Sequence, residues 1–140
     1  MTTKIKKEKI EFRISPELYR EIEPCLTQPR ELSSVCRRFV LEGARRERFP
    51  GVDFRSAGHR SVAYLAGSRW PVWMILDLVE ELEGDIEAAA AQMRRAPALV
   101  RLALRYASAY AAEIQGERNL VNQRGDYAGM RAVLPELEKA

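Results

Sequence analysis

A single histidine, two cysteines and no long unbroken apolar run set the first limits on this chain of 140 residues. A membrane-spanning helix needs about 18 or more consecutive apolar residues, and charges interrupt every apolar stretch here before that length. No cleavable apolar leader is recognisable, so a cytoplasmic protein is expected rather than a membrane or exported one. His59 falls in a segment that reads as a turn, with neither a neighbouring cysteine nor a second carboxylate, so no metal site is expected. Cys25 and Cys36 fall on expected apolar helix faces and read as small core hydrophobes in a reducing compartment. A glycine-rich phosphate loop, a nucleophile elbow and a paired-histidine zinc motif are all missing from the sequence. The acids Asp77, Glu80, Glu81, Glu83, Asp85 and Glu87 fall on different faces of one helix and its turn, which suits a solvated surface better than a magnesium site. Neither enzymatic activity nor a cofactor is expected.

What the chain does have is charge, unevenly placed. It is 46% hydrophobic with a formal charge of +3 and a pI near 9.0, enough apolar content for one ordinary domain or two very small ones. Residues 1–48 hold 12 Lys and Arg against 8 Asp and Glu, whereas residues 49–140 hold 11 against 12. The basic excess therefore sits at the N-terminal end, where a polyanion would be met first.

Within that end, Lys9 to Ser15 alternates charged Lys9, Glu11 and Arg13 with apolar Ile10, Phe12 and Ile14, the period of a half-buried strand. With no second strand in hairpin reach, such a strand pairs most economically with its copy in a second chain, so a homodimer is expected. Ser15 then caps a helix, with Pro16 in its first position and Glu17 in its first turn. Leu18, Ile22 and Leu26 give its apolar face, and Pro24 kinks or shortens it. Thr27 to Arg30 make a stop. A second helix follows, with Leu32, Val35, Cys36, Phe39, Val40 and Gly43 on one face and Gly43 permitting a close helix approach.

One strand and two helices in under 50 residues, with Ser33 and Ser34 opening the second helix, resemble the ribbon-helix-helix repressors and antitoxins. The resemblance covers about a third of the chain. It implies that Lys9, Glu11 and Arg13 read base edges in the major groove, and that the helix start near Ser33 and Ser34 clamps a phosphate. Pro24 and the connecting QPREL depart from the family's pattern.

Past Pro50 and Gly51, residues to Ser68 read as two short strands about the turn residues Ala57, Gly58 and His59. Ser68 and Pro71 precede an apolar helix with Val72, Ile75, Leu76 and Val79, an acidic outer side of Asp77, Glu80, Glu81 and Glu83, and an end at Gly84. Trp70 and Trp73 read as packing anchors between hairpin and helix. Asp85 caps a short alanine-rich helix through Met93, Arg94 to Ala96 turn, and Pro97 opens a helix to about Ala112. Gly67, Ser68, Arg69, Pro71, Val72 and Trp73, with Tyr106 and Ala107 further on, resemble domain-of-unknown-function family 433 over roughly residues 50–140. Ser68 stands where that family usually has threonine. The resemblance implies an antitoxin, of the sort often encoded beside a PIN-like nuclease toxin.

The paired helices around Arg94–Ala96 have a helix-turn-helix shape, and the second offers Arg101, Arg105 and Ser108 as a polar stripe, with Arg94 and Arg95 in the turn before it. The same stripe can instead pair with the acidic helix. Beyond Gly116 the sequence turns polar and then amphipathic, placing Tyr127, Met130, Val133 and Leu134 on one face, either to fill a groove on a partner or to pack back on the chain. The expected organisation is mainly α: a ribbon-helix-helix-like segment over 1–48, a small β-hairpin with a three-helix helix-turn-helix domain over 49–115, and a tail over 116–140. The expected function is a DNA-binding antitoxin that represses its own promoter and neutralises a PIN-like nuclease. Its partners would be double-stranded operator DNA, the cognate toxin and a second copy, with no membrane. The alternative is a dimeric protein-interaction module that does not bind DNA.

Overall fold

The computed structural model describes residues 11–57 and 60–124. They are mainly helical, with one small antiparallel sheet. The chain divides into two compact units, Met1–Val40 and Leu41–Ala140, and the division falls inside one long helix.

In the first unit, helix α1 (Pro16–Ile22) starts as expected: the Ser15 hydroxyl accepts from the Leu18 amide at 3.2 Å and proline takes the first position. Pro24 cannot donate to a continuing helix, so α1 ends at Ile22 and passes into a 3-10 turn, Glu23–Cys25. That turn carries Cys25 to the surface, correcting its expected place in the core; Cys36 is half-buried, and both are free thiols. A second 3-10 turn, Pro29–Glu31, leads into α2 (Leu32–Arg48). The Glu31 carboxylate accepts from the Thr27 amide at 2.9 Å, and the Glu31 and Leu32 amides bond to Gln28 and Pro29 carbonyls. Ser33 and Ser34 lie in the first turn of α2, as expected, and the Ser34 hydroxyl donates back to the Glu31 carbonyl at 2.9 Å.

Of the strand expected over Lys9–Ser15, Lys9 and Ile10 lie outside the described residues, and Glu11–Ser15 have no regular structure in the single chain. Ile22 and Val35 are buried, while Phe12 is 62%, Leu18 44% and Val40 63% exposed. Gly43, expected to admit a close helix approach, has open space where a Cβ would stand.

The second unit holds the core. Strands β1 (Val52–Ala57) and β2 (Arg60–Leu65) pair with Val52 opposite Leu65 and Ala57 opposite Arg60, the hairpin expected from the sequence; His59 lies outside the described residues. Leu102 Cδ2 sits only 2.6 Å from where a Cβ on Gly51 would be, and Gly51 has φ +111°, so only glycine fits this approach of hairpin to helix. The chain then folds back on β2, with the Leu65 amide bonded to the Trp70 carbonyl at 2.9 Å. The Ser68 hydroxyl donates to the Leu65 carbonyl and accepts from the Trp70 amide.

Pro71, held extended, starts α3 (Val72–Glu81), buried almost all round. Trp70 and Trp73 join Val62, Ala63 and Leu65 of β2 in one core, as anchors between hairpin and helix. Helix α4 (Ile86–Met93) and α5 (Pro97–Ala109) follow, then α6 (Ala111–Arg124), which runs through the boundary expected at 115/116. Asp77 is a correction: it is 7% exposed, not part of a solvated face, because Arg118 of α6 reaches it at 2.5 Å and also Glu80 at 2.6 Å. No helix among the described residues is long and apolar enough to cross a membrane.

Candidate nucleic-acid interface

The α4–α5 pair is set by local chemistry at both ends. Asp85 caps α4 through a 3.0 Å bond from the Ala88 amide, and Ala89, Ala90 and Met93 bury its inner face. Arg94 ends it in the left-handed region, at φ 57° and ψ 45°. Its amide returns to Ala91 and the Arg95 amide to Ala90 at 3.0 Å, the closure that glycine usually makes. An arginine kept in a conformation glycine prefers marks a position to test for function. Ala96 is extended, Pro97 takes the first position, and α5 begins with no side-chain cap.

Helix α5 buries Val100, Leu102, Ala103, Tyr106 and Ala107. Its solvent side is one stripe at three- and four-residue spacing: Ala98, Arg101, Arg105 and Ser108, all exposed. Arg94 is exposed and Arg95 half-buried, its guanidinium donating to the Arg94 carbonyl at 3.1 Å. Arg101 reaches Glu87 of α4 at 3.2 Å, rather than the acids of α3 that the sequence offered. Both partners are largely exposed, and an exposed pair contributes about 0–1 kcal/mol, so a phosphate or base can displace it. Of the expected residues, Arg101 and Arg105 share the exposed stripe of α5, while Arg94 and Arg95 lie in the turn before it. Glu11, Arg13, Ser33 and Ser34 are exposed in the first unit; Lys9, Tyr127, Met130, Val133 and Leu134 lie outside the described residues.

What holds α5 was largely hidden in the sequence. Tyr106 is fully buried beneath Phe49 and Tyr110, with ring centroids at 5.3 Å and 4.7 Å, and its hydroxyl accepts from Arg45 at 2.9 Å. Burial pushes the phenol up to about 12, so it stays neutral. Arg45 also binds Glu113 of α6 at 2.7 Å and lies 3.9 Å over the Tyr110 ring. Arg46 bonds Asp53 at 2.9 Å, and a bond from the Phe54 amide, with Arg46, holds that carboxyl below its usual range. These side chains clamp the C-terminal turns of α2 to the hairpin and to α5–α6, and only the aromatic spacing of Tyr106 and Tyr110 hinted at it.

No family model, curated protein or solved structure matches the chain.

Proposed function

We propose that the chain is a dimeric DNA-binding protein that uses α5 as the groove-reading helix of a helix-turn-helix and acts as an autorepressing antitoxin. The observation that carries the DNA half is the exposed stripe of Arg101, Arg105 and Ser108 on a helix otherwise buried, with Arg94 beside it at the turn. Guanidinium groups at such spacing can take phosphates, or O6 and N7 of guanine. The exposed Phe12, Leu18 and Val40 of the first unit favour a second copy as partner, in keeping with the ribbon expected over Lys9–Ser15. The antitoxin half, and a PIN-like nuclease as toxin, rest on the sequence resemblances alone.

A fluorescence anisotropy titration against the protein's own upstream promoter and a scrambled fragment, at low and physiological salt, tests this. Preferential binding that weakens steeply with salt supports it, and Arg105→Ala should then lower affinity and flatten the salt dependence. Equal and weak binding to both fragments refutes it. That result would favour the second reading, a dimeric interaction module whose exposed apolar residues meet protein and whose Arg101 merely pairs with Glu87.

A further inference from the structure

Helix α6 carries a carboxyl in an unusual position. Glu117 is 7% exposed, and its Oε2 has no hydrogen-bond partner among the described residues. Glu113 stands one turn earlier on the same helix, so two acids share one face, where like charges oppose each other. The cations facing Glu117 are Arg45 of α2 and Arg60 of β2. Arg45 is bound through Nη1 to Glu113 at 2.7 Å and to the Tyr106 hydroxyl at 2.9 Å, its buried Nε has no hydrogen-bond partner among the described residues, and Arg60 is exposed. From α5 the facing group is Tyr106, which stays neutral; on the α3 side, Asp77 and Glu80 are turned to Arg118, the next residue along. Ile114, fully buried three residues earlier, sets the same face of α6 against the core.

We propose that α6 is a proton-sensitive latch, docked firmly while the Glu117 carboxyl is neutral and loosened when that carboxyl ionises, buried and without a hydrogen bond to Oε2, beside Glu113. Protonation adds one proton to Glu117 and removes one buried charge, without any other group changing state. Burial first, and Glu113 second, push the carboxyl up to about 7, which puts the change near neutrality. The latch stands on the second unit alone and does not depend on DNA binding. Its consequence is positional: α6 directly precedes in sequence the segment with Tyr127, Met130, Val133 and Leu134.

Hydrogen exchange of the α6 amides in the full chain, at pH 6 and pH 8 and corrected for intrinsic exchange rates, tests it. A group that titrates near 7 when docked and near its ordinary value when released should raise the opening equilibrium roughly ten-fold between those pH values. Glu117→Gln should abolish that difference and leave α6 better protected at pH 8. A carbon-13 titration of the Glu117 carboxyl in the unaltered protein needs no variant and should show a midpoint near neutrality. Protection independent of pH, a glutamine variant that keeps the pH dependence, or a Glu117 that titrates in the ordinary carboxylate range would each overturn the latch.

Discussion

Replacing Arg94 by glycine should stabilise the protein and, under the proposed DNA-binding function, weaken its hold on DNA, two effects of opposite sign from one side chain. Arg94 sits at φ 57° and ψ 45°, where a Cβ costs an ordinary residue on the order of 1–2 kcal/mol and glycine nothing. Both closing bonds, to the Ala90 and Ala91 carbonyls, are made by backbone amides and survive the change. Glycine loses more freedom on folding, which takes back about 0.4–1 kcal/mol. The side chain is exposed, so little packing goes with it. The net expectation is a gain of roughly 0.5–1 kcal/mol in urea unfolding, read as a higher midpoint at unchanged slope. On DNA, if Arg94 takes a phosphate as proposed, the dimer loses one such contact per copy, and the slope of log K against log salt should fall by about 1.8 per bound dimer. A destabilised variant would refute the assignment of backbone strain to this turn. A stabilised variant with unaltered affinity and salt slope would remove Arg94 from the DNA surface while leaving the fold as described.

Three further outcomes follow from particular contacts. Gly51→Ala places a Cβ 2.6 Å from Leu102 Cδ2 at a positive φ, and should cost roughly 2–3 kcal/mol in denaturant unfolding; a loss below about 0.5 would show that hairpin and α5 are not held this close. Asp85→Ala removes the 3.0 Å cap on the Ala88 amide and should cost about 1 kcal/mol, whereas Asp85→Asn, which keeps an acceptor oxygen, should cost much less by the same assay. Glu117→Gln should stabilise above neutral pH. The folded carboxyl, raised to about 7 from 4.5, contributes its full stability below about 4.5, loses it as pH rises to 7, and changes no further above. At ~1.4 kcal/mol per unit the difference between variant and parent should grow by roughly 3 kcal/mol across that window, and a difference curve flat with pH would contradict it.

Elements framed by local chemistry were legible in the sequence. The Ser15–Pro16 start, the stop at Pro24, the hairpin after Gly51 and the Asp85 and Pro97 helix starts all use residues whose backbone preferences act within a few positions. Features that depend on distant partners were not. Asp77 read as solvated because Arg118, which buries it, arrives three helices later. Helix α6 was missed because its inward face interrupts Ile114 and Val121 with Glu117, which weakens the apolar period that marks a helix. Cys25 read as core because it stands beside Leu18, Ile22 and Leu26, whose four-residue spacing assumes a helix that Pro24 had already ended. The left-handed Arg94 gave no sign, since the usual sign there is a glycine. Among the proposed interface residues, Arg101 and Arg105 share one exposed stripe because they stand four apart on α5, and the serines fall in the first turn of α2.

The burial of α5 limits how much sequence it can read alone. The hairpin, α3, α4 and α6 surround it, and its free arc narrows to Arg101, Arg105 and Ser108. A good bidentate contact discriminates by about 1–3 kcal/mol, and specific sites are preferred over non-specific DNA by about 4–10 kcal/mol. One copy with two arginines in reach falls at the low end of that range, before Arg101 is discounted for its pairing with Glu87. In the proposed dimer, two copies on a symmetric site would double the reading, and a ribbon formed around Glu11 and Arg13 would add a second kind of contact. The exposed Phe12, Leu18 and Val40 therefore bear on specificity as much as on assembly: in this proposal operator recognition is a property of the dimer, and a chain kept monomeric retains mainly the salt-sensitive, sequence-independent part of the binding.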